Sequence, residues 1–340
     1  MNTSENEKEW LRRICGKQPR TEQKENTATA KAQKPRHEEE TASEKARKDE
    51  HKEAKTQGNG FKDIAGMNEL KELVTESFIN VLRNPKCAAA YGIKPPSMLF
   101  YGPAGCGKTF FAEKMAEEVG INFMKIVPDD LACTWVHGTQ EKIGQLFKRA
   151  EEKAPTLLFF DEFDAMVPKR AGNDVSQHYD GEVNEFLCML NNASERGIYV
   201  VAATNHPENI DKAVLRTGRI DEMIYIDMPD KEARMSLFSL ALSRLPSEKD
   251  IDVSRLADLT EGYNCSDISY IVGKAARKKF NDSIRHASDD YLPISQTQLE
   301  QAILRTRPSV RSCDLRHYER VRDEFSPKSG DNRPARIGFG

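Results

Sequence analysis

Gly102 to Thr109 read Gly-Pro-Ala-Gly-Cys-Gly-Lys-Thr, directly after the apolar run Met98-Leu99-Phe100-Tyr101. The pattern is G-x-x-x-x-G-K-[ST], a strand-to-helix loop whose backbone N–H groups can wrap a polyphosphate. Gly102, Gly105 and Gly107 let the chain curl close to phosphate oxygens with no Cβ in the way. Lys108 supplies charge for the β and γ oxygens, Thr109 a hydroxyl for Mg²⁺, and the following helix a favourable dipole. Pro103, Ala104 and Cys106 complete the loop and Phe110 begins the helix, so residues Gly102 through Phe110 form the expected nucleotide-holding set. Cys106 reads as a space-filling side chain rather than a redox switch.

A second cluster is Leu157-Leu158-Phe159-Phe160-Asp161-Glu162, an apolar strand ending in two carboxylates. Asp161 is suited to hold Mg²⁺ through water, and Glu162 to polarise an attacking water. An acidic helix cap is the plain alternative. It fits Asp164 but does not account for the four apolar residues ahead of Asp161. The strand Ile198 to Ala203 runs into Thr204-Asn205, where an amide can sit between a γ-phosphate and the water. Arg216 and Arg219 flank Gly218 in a short positive outcrop. The loop's own Lys108 makes them redundant within one subunit, so they are expected to reach a neighbour's phosphate as arginine fingers. Their alternative is pairing with Asp221 or Glu222. The combination predicts binding and hydrolysis of a nucleoside triphosphate.

These groups need a scaffold that presents strand ends side by side. Short apolar strands are expected at 98–101, 121–127, 157–160, 198–203 and 223–226, alternating with helical patterns at 68–90, 107–119, 139–154 and 182–195. Alternation of this kind predicts an α/β fold, a five-stranded parallel sheet between two helical layers. After Pro229 the strands stop. Ile268, Ile271, Val272, Ala275, Ala276 and Phe280 then recur at helical spacing, the mark of a small helical domain. The expected organisation is a charged tail over 1–60, a nucleotide domain over 61–229, a helical lid with a last helix over 230–325, and a flexible tail over 326–340.

The 340 residues carry a net charge of −3, which does not favour nucleic acid or an anionic membrane. Seven scattered cysteines without a C-x-x-C pair read as reduced thiols. No apolar run approaches the ~18 residues of a spanning helix, and no signal-peptide pattern begins the chain; a cytoplasmic location is expected. Residues 1–57 hold 26 charged side chains and only Met1, Trp10, Leu11 and Ile14 as large apolar ones. Such a segment is expected to be disordered or transiently helical, because burial cannot offset its ordering entropy.

Taken in order, the motifs resemble the AAA ATPases of the valosin-containing-protein, proteasomal-ATPase and katanin/spastin group. Phe61-Lys62-Asp63-Ile64-Ala65-Gly66 is similar to the family's F-x-D-I-x-G segment, and Tyr91 to Pro96 to its approach to the P-loop. The Walker A and Walker B segments follow, then Ala203-Thr204-Asn205 as sensor 1 and Arg216 with Arg219 as paired fingers. Gly262 to Ile268 resembles the sensor-2 turn, and Arg307 to Val310 the segment before the last helix. The resemblance covers Phe61 to about Phe325. It implies a P-loop NTPase domain with a helical lid, ATP and Mg²⁺ as cofactors, and assembly into hexameric homo-oligomeric rings. It places Ile64, Ala65 and Gly66 in the adenine pocket with Ile93 nearby. It also places Trp135, Val136 and His137 in the first pore loop, where an aromatic side chain grips an extended polypeptide, and Gly172 to Asp180 in the second. Departures from the family pattern are His137, which interrupts the aromatic-aliphatic-Gly triad, and Thr217 in place of a common proline. Cys265-Ser266 stand where small residues are usual, and a charged tail stands in place of the folded N-terminal domain. The lack of a sensor-2 arginine is normal in this subgroup.

The leading expectation is an ATPase that unfolds, remodels or disassembles protein substrates, with adaptors as further partners. A motor or loader acting on nucleic-acid complexes is the alternative on the same core. Near-neutral charge and an aromatic pore candidate speak against it.

Overall fold

The strands Met98–Tyr101 and Thr156–Phe160 are buried along their whole length, and Ile198–Thr204 at every residue but Tyr199, which forces both faces of the sheet to be covered. The computed structural model describes residues 53–55, 58–131, 138–169, 177–216, 218–285 and 292–325. The charged N-terminal segment before Glu53, the Trp135 segment, Thr217 and the C-terminal tail lie outside them. Six strands form the sheet: β1 (Glu53–Lys55), β2 (Met98–Tyr101), β3 (Asn122–Ile126), β4 (Thr156–Phe160), β5 (Ile198–Thr204) and β6 (Glu222–Tyr225), in the order β1-β3-β4-β5-β2-β6. Strands β2 to β6 pair in parallel. The expected five-stranded parallel sheet is therefore present. The short β1 adds an antiparallel edge, pairing Glu53 with Met124 ahead of the expected start of order at Phe61.

The strands alternate their side chains between two apolar layers. Leu158, Phe160, Val200 and Ala202 pack with Phe147 and Phe186 on one face. Leu157, Phe159, Val201 and Ala203 pack with Phe78, Phe111 and Met115 on the other. The helices that supply these partners run in chain order. Helix α1 (Asn68–Val74) passes through a π turn (Thr75–Ile79) into α2 (Asn80–Arg83). Next come α3 (Pro85–Ala90), α4 (Lys108–Val119), α5 (Pro128–Leu131), α6 (Gly138–Glu152), α7 (Phe163–Met166) and α8 (Gln177–Leu190). The sequence suggests one helix over 68–90. The chain instead breaks at Asn84, because Pro85 disfavours a helical residue before it and then starts α3 at its first position. Helix α8 begins at Gln177, so His178 and Tyr179 lie in its first turn rather than in a loop.

Beyond β6 the chain is helical: α9 (Lys231–Leu242), α10 (Val253–Leu259), α11 (Cys265–Arg285), α12 (Gln296–Leu304) and α13 (Ser312–Phe325). Asp230 and Asp252 cap α9 and α10 by accepting the N–H of Ala233 and Arg255, at 2.7 and 2.9 Å. Phe238, Leu256, Ile268, Ile271, Val272 and Leu299 form a core of their own. Phe280, placed with this stripe by spacing, is instead 64% exposed.

Helix α4 also anchors the segment that leads into the domain. Lys114, near-fully buried, holds both Glu117 oxygens at 2.8 Å and Asp63 Oδ2 at 3.1 Å. The Phe61 N–H donates to Glu118 Oε2 at 2.9 Å. Burial alone would lower the Lys114 pKa, but its hydrogen bonds to Glu117 and Asp63 outweigh it and hold it above the usual value. The same bond holds Asp63 below its ordinary 3.8.

Lys114→Met removes the cation and leaves the two carboxylates facing apolar surroundings. Chemical denaturation near neutral pH is expected to show a loss of about 2–4 kcal/mol, the scale of breaking one side of a buried ion pair. Because the Asp63 pKa is depressed in the folded state, its contribution is present above 3.8 and lost as pH falls below it. The deficit should therefore narrow in acid. A parent and variant of equal stability at pH 7 would contradict the anchor.

Candidate active site

The carboxyl ends of β4, β5 and β2 lie side by side, with Phe160 opposite Ala202 and Tyr101 opposite Thr204. Loops leaving these ends meet where open parallel sheets hold ligands. The glycine-rich loop leaves β2 first. Gly105 has φ +76°, and a Cβ there would stand 2.5 Å from Asn264 Nδ2, so another residue would be strained and would push the Asn264 side chain aside. Lys108 opens α4 and folds back over its loop, donating to Gly102 O at 2.9 Å and Pro103 O at 2.8 Å. Burial pulls its pKa down to about 8. Cys106 is fully buried against Met228, and burial pushes its thiol up to about 12. That environment suits a filler and not a reactive thiolate.

Thr109, one residue further, points across to the second cluster. Its hydroxyl donates to Asp161 Oδ2 at 3.1 Å. Asp161 leaves β4 with its N–H on Ile126 O at 2.9 Å, and its Oδ1 accepts the Glu162 N–H at 3.2 Å. Glu162 adopts φ 52° and ψ 47°, a left-handed conformation that costs a non-glycine residue energy and concentrates at functional sites. Its side chain is exposed at the head of the short helix α7.

The end of β5 is tied to this turn. Thr204 is buried, and its hydroxyl donates to Asp164 Oδ1 at 2.5 Å while accepting the His206 N–H at 2.8 Å. Asp164 is thus a link between two strand ends, a role different from the helix cap suggested by sequence. Asn205 follows at the strand end, and its carbonyl accepts the Tyr318 hydroxyl from α13 at 2.7 Å.

The arginines differ from one another. Arg216 is exposed, whereas Arg219 is half-buried and donates to Ala213 O at 2.6 Å. Asp221 accepts the N–H groups of Gly218 and Ser97 at 2.8 and 3.0 Å, so this carboxylate is spent on shaping the loop. Ile64 is buried in the layer that holds Cys106 and Phe111. Ala65 is half-buried, and Gly66 lies against α9, where a Cβ would come 2.6 Å from that of Ala233. Ile93 is not packed with that layer; it is 52% exposed and lines a surface groove with Leu73 and Pro96. Trp135, Val136 and His137 fall outside the described residues.

The helical domain contributes groups that spacing alone does not single out. Asn264 Nδ2 donates to Ala104 O at 2.9 Å and to Ser309 Oγ at 3.0 Å, and the Ser266 N–H donates to Gly105 O at 3.1 Å. Ser309 in turn donates to Asp267 Oδ1 at 2.7 Å. Each partner is distant in sequence, so only the fold brings them together.

The residues present fit a nucleotide with a divalent cation. The loop backbone curves around a buried ammonium, and two hard oxygen donors, Thr109 Oγ1 and Asp161 Oδ2, converge beside it. Among the described residues no group of three or more His, Cys, Asp or Glu side chains forms an independent metal site. No helix there is long and apolar enough to cross a membrane.

Residues 98–228 match the family model described as ATPase family associated with various cellular activities (AAA). The chain is 33% identical over 275 residues to the Cell division cycle protein 48 homolog of Archaeoglobus fulgidus, a match covering 78% of this chain and 38% of the relative. It is 32% identical over 281 residues to Protein CdcH of Halobacterium salinarum, covering 81% of this chain and 37% of that protein. The chain thus matches less than two fifths of the length of either relative.

Tyr318→Phe deletes one hydroxyl and leaves the ring packed. If the bond to the Asn205 carbonyl positions that residue, turnover is expected to fall about threefold to tenfold, the scale of one hydrogen bond. The nucleotide KM should be unchanged. A lowered melting temperature with unchanged kcat would make Tyr318 a purely structural tie.

Proposed function

The chain belongs to the AAA family of ATPases, and on that basis we propose that it hydrolyses ATP with Mg²⁺ to drive protein remodelling. The observation that carries the reading is the Thr109–Asp161 hydrogen bond of 3.1 Å. It brings together two motifs distant in sequence, which supports reading them as one phosphate and metal site.

In this reading the backbone from Gly102 to Gly107 cradles the phosphates and Lys108 shifts from its loop carbonyls to the β and γ oxygens. Ile64, Ala65 and Gly66 hold the base. Thr109 and Asp161 hold Mg²⁺, which when bound offsets charge on the β and γ oxygens. Glu162 orients and polarises the attacking water, and its exposed position beside Asp161 supports that task. Asn205, at the end of the strand between β2 and β4, senses the γ-phosphate. Arg216, exposed, extends to the phosphate of a neighbouring subunit; Arg219, tied to Ala213, braces the same loop and acts with it. The working assembly is a hexameric ring in the cytosol. Trp135, with Val136 and His137, contacts an extended protein chain in its pore.

Lys108→Ala is expected to abolish ATP binding, measured with a fluorescent nucleotide. Glu162→Gln should retain binding while Mg²⁺-dependent turnover falls by about two orders of magnitude, the scale of a lost general base. Equal turnover by Glu162→Gln and the parent would remove Glu162 from the reaction.

Trp135 carries the protein-threading part of the proposal. An indole offers a broad apolar face that grips many sequences with little demand on their identity. Trp135→Ala should keep ATP hydrolysis within about threefold of the parent, as expected for a surface contact outside the chemistry. Unfolding of a model substrate should be lost. A variant that melts far earlier makes Trp135 a core anchor, and intact unfolding by a stable variant moves the grip elsewhere.

A further inference from the structure

Asp161 Oδ2 accepts two donors, Thr109 Oγ1 at 3.1 Å and the ammonium of Lys125 at 2.7 Å. The lysine comes from β3, where Lys125 pairs with Phe159 and Ile126 with Phe160. Strand alternation puts Phe123 and Lys125 on the face shared by Leu157, Phe159 and Asp161. Phe123 stacks on Phe159 with ring centroids 5.9 Å apart, which fixes that face. Register therefore aims Lys125 at the carboxylate. The Lys125 side chain is 38% exposed and that of Asp161 23%, so the pair is partly screened and can exchange. An ammonium at hydrogen-bond distance from Oδ2 and a divalent cation served by the same carboxylate repel one another, so each weakens the other's hold on it.

We propose that Lys125 is a built-in competitor for the divalent cation at Asp161. Without metal it neutralises the carboxylate and holds it toward Thr109. When nucleotide and metal bind, Lys125 releases Oδ2 and turns its ammonium to solvent. The residue thereby sets the Mg²⁺ concentration that the nucleotide site requires. The inference rests on the reading of Thr109 and Asp161 as the metal side of that site.

The test is equilibrium binding of a fluorescent, non-hydrolysable ATP analogue to the full chain, titrated with Mg²⁺ and repeated in EDTA. Lys125→Met keeps the aliphatic stem and removes the charge; Lys125→Arg keeps the charge. The half-saturating Mg²⁺ concentration is expected to fall about threefold to fivefold in Lys125→Met, the scale of a partly exposed ion pair. Lys125→Arg should match the parent, and affinity in EDTA should be the same for all three. An unchanged Mg²⁺ requirement in a folded Lys125→Met chain overturns the proposal. Weaker binding in EDTA also overturns it, because Lys125 would then be a phosphate ligand. Binding by the parent that ignores Mg²⁺ removes the metal reading itself. If Lys125→Met fails to fold, Lys125→Gln under the same titration decides between these results.

Discussion

The register of three buried parallel strands, β4, β5 and β2, fixes where the candidate site residues at their carboxyl ends stand. Phe160 faces Ala202 and Tyr101 faces Thr204, so Asp161, Asn205 and Gly102 leave the sheet along one edge. Slipping β4 by a single residue would send Leu158 and Phe160 into the layer of Phe111, and Leu157 and Phe159 into that of Phe186. Both layers are apolar, so the cost of the slip is mispacking rather than exposure, about 1–3 kcal/mol for each side chain forced into a space shaped for another. A single hydrogen bond such as Thr109 to Asp161 contributes about 1 kcal/mol net. The packing therefore sets the site, and the polar contacts report that it is set.

Within that frame the charges are arranged for exchange. Lys108 is buried and its pKa is pulled down to about 8, yet two loop carbonyls hold its ammonium. In those bonds only the donor is charged, whereas in a bond to phosphate both partners are, so a polyanion can compete for the ammonium. Glu162 stores a different kind of readiness. Its left-handed backbone is held from both sides, by Asp161 Oδ1 on its N–H and by the Ala165 N–H on its carbonyl at 2.9 Å. The strain turns its side chain away from the direction that a continuing strand would impose.

Local signals were legible in sequence because the chemistry they encode is local. The P-loop and the apolar strand ending in Asp161-Glu162 are contiguous, and each specifies its own backbone. The parallel sheet followed from alternating short apolar runs and helical patterns. What stayed hidden depends on pairs far apart in the chain. Asp164 fits a cap by sequence, and only the fold sets Thr204 beside it; Lys125 carries no local signal, and only strand register faces it toward Asp161. Asn264 and Tyr318 belong to recognisable segments, but their partners, Ala104 and Asn205, are backbone carbonyls that no side-chain pattern reveals. Phe280 was misjudged for the opposite reason: periodicity marks the apolar stripe of a helix but not where its neighbours end.

The helical segment beyond β6 meets the candidate site largely through polar contacts. Its apolar core, built on Phe238, Ile271 and Leu299, is separate from the two layers of the sheet. Much of what joins it to the site is polar. Asn264 and Ser266 meet the P-loop carbonyls of Ala104 and Gly105, while Tyr318 meets the carbonyl of Asn205. Ser309, bonded to Asn264, stands just before the helix that carries Tyr318. A continuous chain of contacts thus runs from the glycine-rich loop through the helical segment to the end of β5. Breaking one such hydrogen bond costs about 0.5–1.5 kcal/mol, far less than parting a shared apolar core. The helical segment beyond β6 is bonded to both the P-loop carbonyls and the carbonyl of Asn205, so the two places share one support.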